Sequence, residues 1–85
     1  MPVVLRDGGL RYFFYSNEGS PSEPPHIHIR GGGCDAKVWI EPDIAIADSY
    51  GFNPRQLARI IEFVSNNRDA ILRMWHDHFG DRRSL

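Results

Sequence analysis

The chain has 85 residues, 41% of them hydrophobic, with a formal net charge of −1 and a single cysteine. These values indicate one small domain, 1–85, and argue against a surface built to coat nucleic acid non-specifically, because such a surface carries an excess of positive charge. They also exclude an internal disulfide. The start of the chain has no secretory pattern and no apolar run approaches membrane-spanning length, so we expect a cytoplasmic protein without membrane contact.

The first half of the sequence has the pattern of short strands separated by turns. The runs PVVLR and LRYFFYS flank an Asp-Gly-Gly turn and predict a β-hairpin. The run HIHIR then alternates with a period of two, which places Ile27 and Ile29 toward a core and His26, His28 and Arg30 on the opposite face. CDAKVWI predicts the following strand, and IAIAD predicts a short additional one.

The second half has the pattern of a helix. Asn53 and Pro54 mark its start, because an asparagine N-cap precedes a proline at the first helical position, and Gln56 completes a capping box. An apolar stripe of helical period continues to Phe79, which predicts one long helix. A kink or break near residues 66–68 stays open as the alternative.

The order of these elements predicts an α+β fold. We expect a small antiparallel sheet of four to five strands within residues 1–49, and one long C-terminal helix within 53–79, packed on one face of the sheet. A core of this size leaves little stability in reserve, so association into a homodimer would help the domain.

His26 and His28 are the first candidates for chemistry. On a strand, residues two apart point to the same side with Cα atoms about 6.6–7 Å apart, so both imidazoles can converge on one ligand. They can bind a divalent metal ion if Asp35 or Glu23 supplies a third ligand, or they can exchange protons, since histidine titrates near neutrality. The alternative is that they only cover the polar side of a half-buried sheet. The sequence requires no cofactor and leaves a divalent metal open.

A second group of polar side chains lies on the next predicted strand. Asp35, Lys37 and Trp39 are two residues apart, and they share a surface with the histidines if this strand pairs with HIHIR. Such a surface can bind a phosphodiester, with Lys37 and Arg30 supplying charge and Trp39 stacking on a base. The alternative is ordinary cross-strand pairing of opposite charges.

The motifs EPPHIHI and AKVWI, followed by an asparagine-capped helix ending in MWHDHF, resemble a family of small prokaryotic proteins catalogued as a domain of unknown function. The residues that carry the resemblance are Glu23, Pro24, Pro25, His26, His28, Ala36, Lys37, Trp39 and Trp75. Members of that family look like stand-alone domains encoded beside another small protein, in pairs that suggest toxin–antitoxin modules. The resemblance therefore implies a small protein partner, with RNA or DNA as a further partner, and it implies no established activity.

Two functions remain open after these observations. In the first, the protein is a component of a toxin–antitoxin-like two-gene module that binds its protein partner and helps in regulation. In the second, it is a small ribonuclease in which His26 and His28 exchange protons with the ribose and the leaving group, while Lys37 or Arg30 steadies the phosphate. A metal-binding module at the two histidines comes third. The predicted binding residues around the pair are Glu23, Arg30, Asp35 and Trp39.

Overall fold

Residues 3–15 and 23–79 are described by the computed structural model of this chain. Their elements are, in chain order, β1 (Val3–Asp7), β2 (Leu10–Phe13), β3 (His26–Gly31), β4 (Cys34–Trp39), β5 (Ala45–Tyr50), α1 (Pro54–Asn66) and α2 (Arg68–Phe79). The five strands form one antiparallel sheet in the order β1-β2-β3-β4-β5, so each strand pairs with its neighbours in sequence. This arrangement agrees with the α+β class expected from the sequence.

Two glycine pairs form the tight turns of this sheet. Gly8 and Gly9 have φ angles of 56° and 81°, and Gly32 and Gly33 have φ angles of 58° and 79°. Two-residue hairpin turns favour a positive φ at both positions, a conformation that strains residues with a Cβ atom. Because the turn fixes the register of a hairpin, these glycines decide which side chains face each other across the sheet.

One face of the sheet packs on the helices and forms the core. The buried cluster consists of Tyr12, Phe14, Ile27, Ile29, Ala36, Val38, Ile40, Ile60, Val64, Ile71 and Trp75. Tyr12 contacts Phe63 of α1, with the ring centroids 4.7 Å apart. The complete burial of Ile27 and Ile29 confirms that the alternating pattern of β3 points its isoleucines toward the core.

The opposite face of the sheet, called the open face from here on, carries polar and aromatic side chains. Its residues are Phe13, His26, His28, Arg30, Asp35, Lys37, Trp39, Asp48 and Tyr50, which the register places side by side across β2 to β5. Most of them are exposed or half-buried, whereas Phe13 and His26 are buried. The open face therefore holds most of the residues that the sequence singled out, and Trp75 of α2 reaches its His26 end.

The start of α1 confirms the predicted capping box. The Asn53 side-chain oxygen accepts a hydrogen bond from the Gln56 N–H, and the Gln56 side-chain oxygen accepts one from the Asn53 N–H, both at 2.8 Å. Pro54 occupies the first helical position, where its missing N–H costs nothing.

The prediction of one long helix over 53–79 is wrong, because the chain forms α1 and α2 with a break between them at Asn67. The backbone of Asn67 has φ −117° and ψ 15°, and its side-chain amide donates to the Phe63 carbonyl at 2.8 Å. An asparagine that bonds the preceding turn competes with the helical hydrogen-bond ladder. The apolar stripe continues across the break, which is why helical periodicity alone favoured a single helix. Over the described residues, neither helix is long and apolar enough to cross a membrane.

Candidate functional site

His26, the first residue of β3, is enclosed by aromatic rings. Its side chain has no solvent exposure, and its Nδ1 donates a hydrogen bond to the Pro24 carbonyl at 2.9 Å. The imidazole centroid lies 5.0 Å from the ring of Trp75 in α2, 5.5 Å from that of Trp39 and 5.3 Å from that of His28. The alternating pattern placed His26 on the polar side of the sheet, but Trp75 covers it there, a contact that the sequence of β3 does not encode.

The two prolines before His26 fix its position through the carbonyl groups of the backbone. Pro24 accepts the imidazole hydrogen bond, and Pro25 accepts a hydrogen bond from the Ile40 N–H at 2.9 Å. The bonds preceding both prolines are trans; the cis bond of the described residues is Glu41–Pro42. The Pro-Pro segment thus joins the start of β3 to the end of β4 and orients the first histidine.

His28 lies at the centre of the open face and is half-buried. Its ring centroid is 4.6 Å from that of Tyr15 in an edge-on contact and 5.7 Å from that of Phe13 in a stacked one. Across the sheet it is directly opposite Lys37 in β4. The structure therefore brings both predicted histidines and the predicted lysine together, although only His28 of the two histidines is accessible to a ligand.

Lys37 is held by two neighbours at once. Its ammonium group donates a hydrogen bond to a Glu23 carboxylate oxygen at 2.8 Å and lies 4.5 Å from the ring centroid of Trp39. This hydrogen bond keeps the pKa of Glu23 below its ordinary value, and the positive charge of Lys37 acts in the same direction. Three predicted site residues therefore form one contact group in which the lysine charge is already neutralised.

Arg30 and Asp35 complete the predicted set from the other end of β3 and β4. They are opposite each other in the register, and Arg30 donates a hydrogen bond to the Tyr15 hydroxyl at 3.3 Å. The side chains around them enclose a shallow hollow of about 210 Å³ on the open face. The residues that line it are Phe13, Tyr15, His28, Ile29, Arg30, Asp35, Ala36, Lys37 and Asp48.

The metal hypothesis needs a third ligand beside the two histidines, for which the sequence offered Asp35 or Glu23. In residues 3–15 and 23–79, no group of three or more His, Cys, Asp or Glu side chains is placed to hold a metal ion. Glu23 instead receives the Lys37 ammonium group. Over that part of the chain, the structure provides no third ligand for this hypothesis.

A larger hollow, of about 610 Å³, lies between the first hairpin and α1. Arg59 donates to both carboxylate oxygens of Asp7 there, at 3.1 and 3.2 Å. The buried Tyr12 hydroxyl has no hydrogen-bond partner among the described residues, and its pKa is raised to about 12, first by burial and second by the charge of Asp7. None of the predicted site residues lines this hollow, and its best-placed charges neutralise each other, so we place the candidate site on the open face.

Sequence reasoning missed several residues of the site. Tyr15 and Phe13 flank His28, Asp48 lines the hollow from β5, and Trp75 buries His26. The aromatic run in LRYFFYS contains the first two residues, but its pattern predicts only a strand. Asp48 and Trp75 reach the site through strand register and helix packing, which a single sequence does not reveal.

Comparison with known proteins identifies one family model that matches residues 9–76, and its description is "Domain of unknown function (DUF4160)". This match covers well over half of the chain. No curated protein matches the chain, and no solved structure matches it either.

Proposed function

This chain belongs to the DUF4160 family, and from that premise we propose that it is the protein-binding component of a toxin–antitoxin-like two-gene module. The small protein encoded beside it is the proposed partner, and the open face of the sheet is the proposed binding surface. Regulation would follow from the formation of the complex, without a chemical step by this chain.

The observation that supports this proposal is the chemical character of the open face. It combines exposed charges of both signs, such as Arg30, Asp35 and Asp48, with the half-buried ring of Trp39, and the half-buried ring of Tyr15 adjoins it at His28. Protein interfaces are enriched in aromatic residues and arginine and need no excess of positive charge. A surface that binds nucleic acid draws most of its affinity from unpaired basic residues, and Lys37 is already paired with an acidic one.

The ribonuclease alternative is less well supported by the same geometry. It requires two imidazoles within hydrogen-bond reach of one substrate. The His26 ring is fully buried, and its Nδ1 donates to the Pro24 carbonyl. The lysine proposed to steady the phosphate is bound to Glu23. Catalysis by this pair would therefore require α2 and the Pro-Pro segment to move away first.

The experiment that tests the proposal is co-expression of the tagged protein with the products of its flanking genes. We expect a complex of defined mass in light scattering, and we expect Arg30→Glu to weaken it by about tenfold or more in calorimetry, as for a charge lost from an interface. Arg73→Glu, the same change on the exposed side of α2, is the matched control. Absence of a complex with either flanking product would contradict the proposal, as would an equal effect of the control.

A further inference from the structure

β5 forms one edge of the sheet and is unusually accessible. One side of the strand pairs with β4, and no described strand pairs with the other side. Five of its six residues are exposed, and Tyr50 is 71% exposed, the large apolar side chain with the greatest exposure among the described residues. The outward N–H and C=O groups of such a strand can template a further strand.

The sequence of β5 gives this edge little protection. Proteins usually block an edge strand with lysine, proline, a bulge or a covering element. The strand AIADSY contains neither lysine nor proline, and three of its residues, Ala45, Ala47 and Ser49, have small side chains. It has one protective device, a register irregularity between Ile46 and Asp48. A segment in extended conformation can therefore approach the backbone of β5 without a steric barrier from the side chains.

We propose that β5 is the docking edge for an extended segment of the partner protein in which lysine or arginine alternates with apolar residues. This inference rests on the proposed function and adds the chemistry of the partner. β5 carries one charged side chain, Asp48, and no lysine or arginine, so the edge favours a basic strand. The exposed ring of Tyr50 lies on the same face as Asp48 and offers a cation–π contact to a basic side chain.

A second copy of this chain fits the edge less well than a basic strand. If all six residues of β5 paired antiparallel with β5 of a second copy, Ala45 would lie opposite Tyr50 and Ile46 opposite Ser49. The open faces of the two sheets would then lie on the same side. This pairing would also place the two Asp48 carboxylates diagonally across the new strand pair. Like charges at that distance destabilise a sheet, and no basic residue of β5 would compensate. The charges on this strand therefore select a different partner.

The first test uses two short peptides of equal length, one alternating valine with lysine and one alternating valine with glutamate. We expect the basic peptide to shift the amide resonances of residues 45–50, to slow their hydrogen exchange, and to bind about tenfold tighter than the acidic one. Asp48→Lys should abolish this preference. Glu62→Lys, the same charge reversal on α1 beside the opposite edge of the sheet, should preserve it.

The peptide experiment can overturn the inference in three ways. The inference is overturned if neither peptide perturbs β5, if both peptides bind equally, or if the free protein already dimerises with its β5 amides protected. If Asp48→Lys disturbs the fold, Asp48→Asn is the second variant, and it should reduce the preference without reversing it.

The second test distinguishes failure of this inference from failure of the proposed function. Hydrogen exchange is measured in the complex with the flanking gene product. Protection of alternate β5 amides supports docking at this edge. A stable complex in which β5 exchanges as in the free protein overturns the inference and leaves the proposed function intact. If no flanking product binds, the proposed function fails, and the peptide result alone decides whether the edge selects basic strands.

Discussion

The imidazole of His26 packs against the indole of Trp75, with ring centroids 5.0 Å apart, and this contact joins the first residue of β3 to α2. The same imidazole is hydrogen-bonded to the Pro24 carbonyl. His26 and His28 are two residues apart on one strand, yet they have different surroundings. The first is part of the contact between sheet and helix, and the second is half-buried on the open face.

We therefore predict that the two histidines differ in their effect on stability. His26→Ala should lower the free energy of unfolding by about 2 kcal/mol or more, because it leaves a cavity between two tryptophans. His28→Ala is the matched control on the same strand and should cost about 1 kcal/mol or less. Urea denaturation followed by tryptophan fluorescence measures both. Equal losses for the two variants would contradict the structural role of His26.

Tyr12 leads to a prediction about alkaline pH. Its pKa is raised from 10.0 to about 12, chiefly by burial, so the folded state favours the protonated phenol. A raised pKa contributes stability that is fully present below pH 10 and is lost as the pH rises through 12. Relative to Tyr12→Phe, the wild type should lose up to about 2–3 kcal/mol of stability across that interval.

The measurement is the difference in free energy of unfolding between wild type and Tyr12→Phe from pH 8 upward. Near neutral pH, Tyr12→Phe should be neutral or stabilising, because the buried hydroxyl it removes has no hydrogen-bond partner among the described residues. Tyr50→Phe is the control, since it removes the same hydroxyl from a ring that is 71% exposed. A flat difference for Tyr12→Phe would show that its phenol is not desolvated.

The Glu23–Lys37 pair predicts a smaller loss of folding stability, at acidic pH. The pKa of Glu23 is lowered, first by the hydrogen bond from Lys37, so its stabilising contribution is present above the ordinary glutamate pKa and is lost as the pH falls through the lowered value. Lys37→Gln should return the pKa of Glu23 toward its ordinary value, which carboxyl NMR titration measures. Arg73→Gln is a control that should leave it unchanged. Because the Glu23 side chain is 46% exposed, the difference in its pKa between wild type and Lys37→Gln should shrink as salt is added.

Local patterns predicted the elements of this fold better than their contacts. The period-two pattern of HIHIR and the capping box at Asn53 depend on residues close in sequence, and the structure confirms both. The burial of His26 depends on Trp75, which lies 49 positions further along the chain (75 − 26), so no local pattern could have predicted it. The register of β5 could not be predicted from a local pattern either, and it is the pairing with Lys37 that brings Asp48 to the site.

The sequence leaves the break between α1 and α2 as an alternative to one long helix, because the apolar stripe runs through it without losing phase. The Asn67 side-chain amide lies at the break and donates to the Phe63 carbonyl at 2.8 Å, beside the backbone N–H of the same residue, which donates to that carbonyl at 3.1 Å. A carboxylate in this position cannot donate and would repel the carbonyl oxygen.

Asn67→Asp should therefore destabilise the protein more than Asn67→Ala, even though aspartate has nearly the same shape as asparagine. We expect Asn67→Ala to cost about 1 kcal/mol for the lost hydrogen bond, partly offset by the better helix propensity of alanine, and Asn67→Asp to cost about 1–3 kcal/mol. Thermal and urea unfolding measure both variants. Asn66→Asp, at the exposed neighbouring position, is the control and should stay within about 0.5 kcal/mol of wild type. If Asn67→Asp were as stable as Asn67→Ala, the side-chain hydrogen bond would not stabilise the junction between α1 and α2.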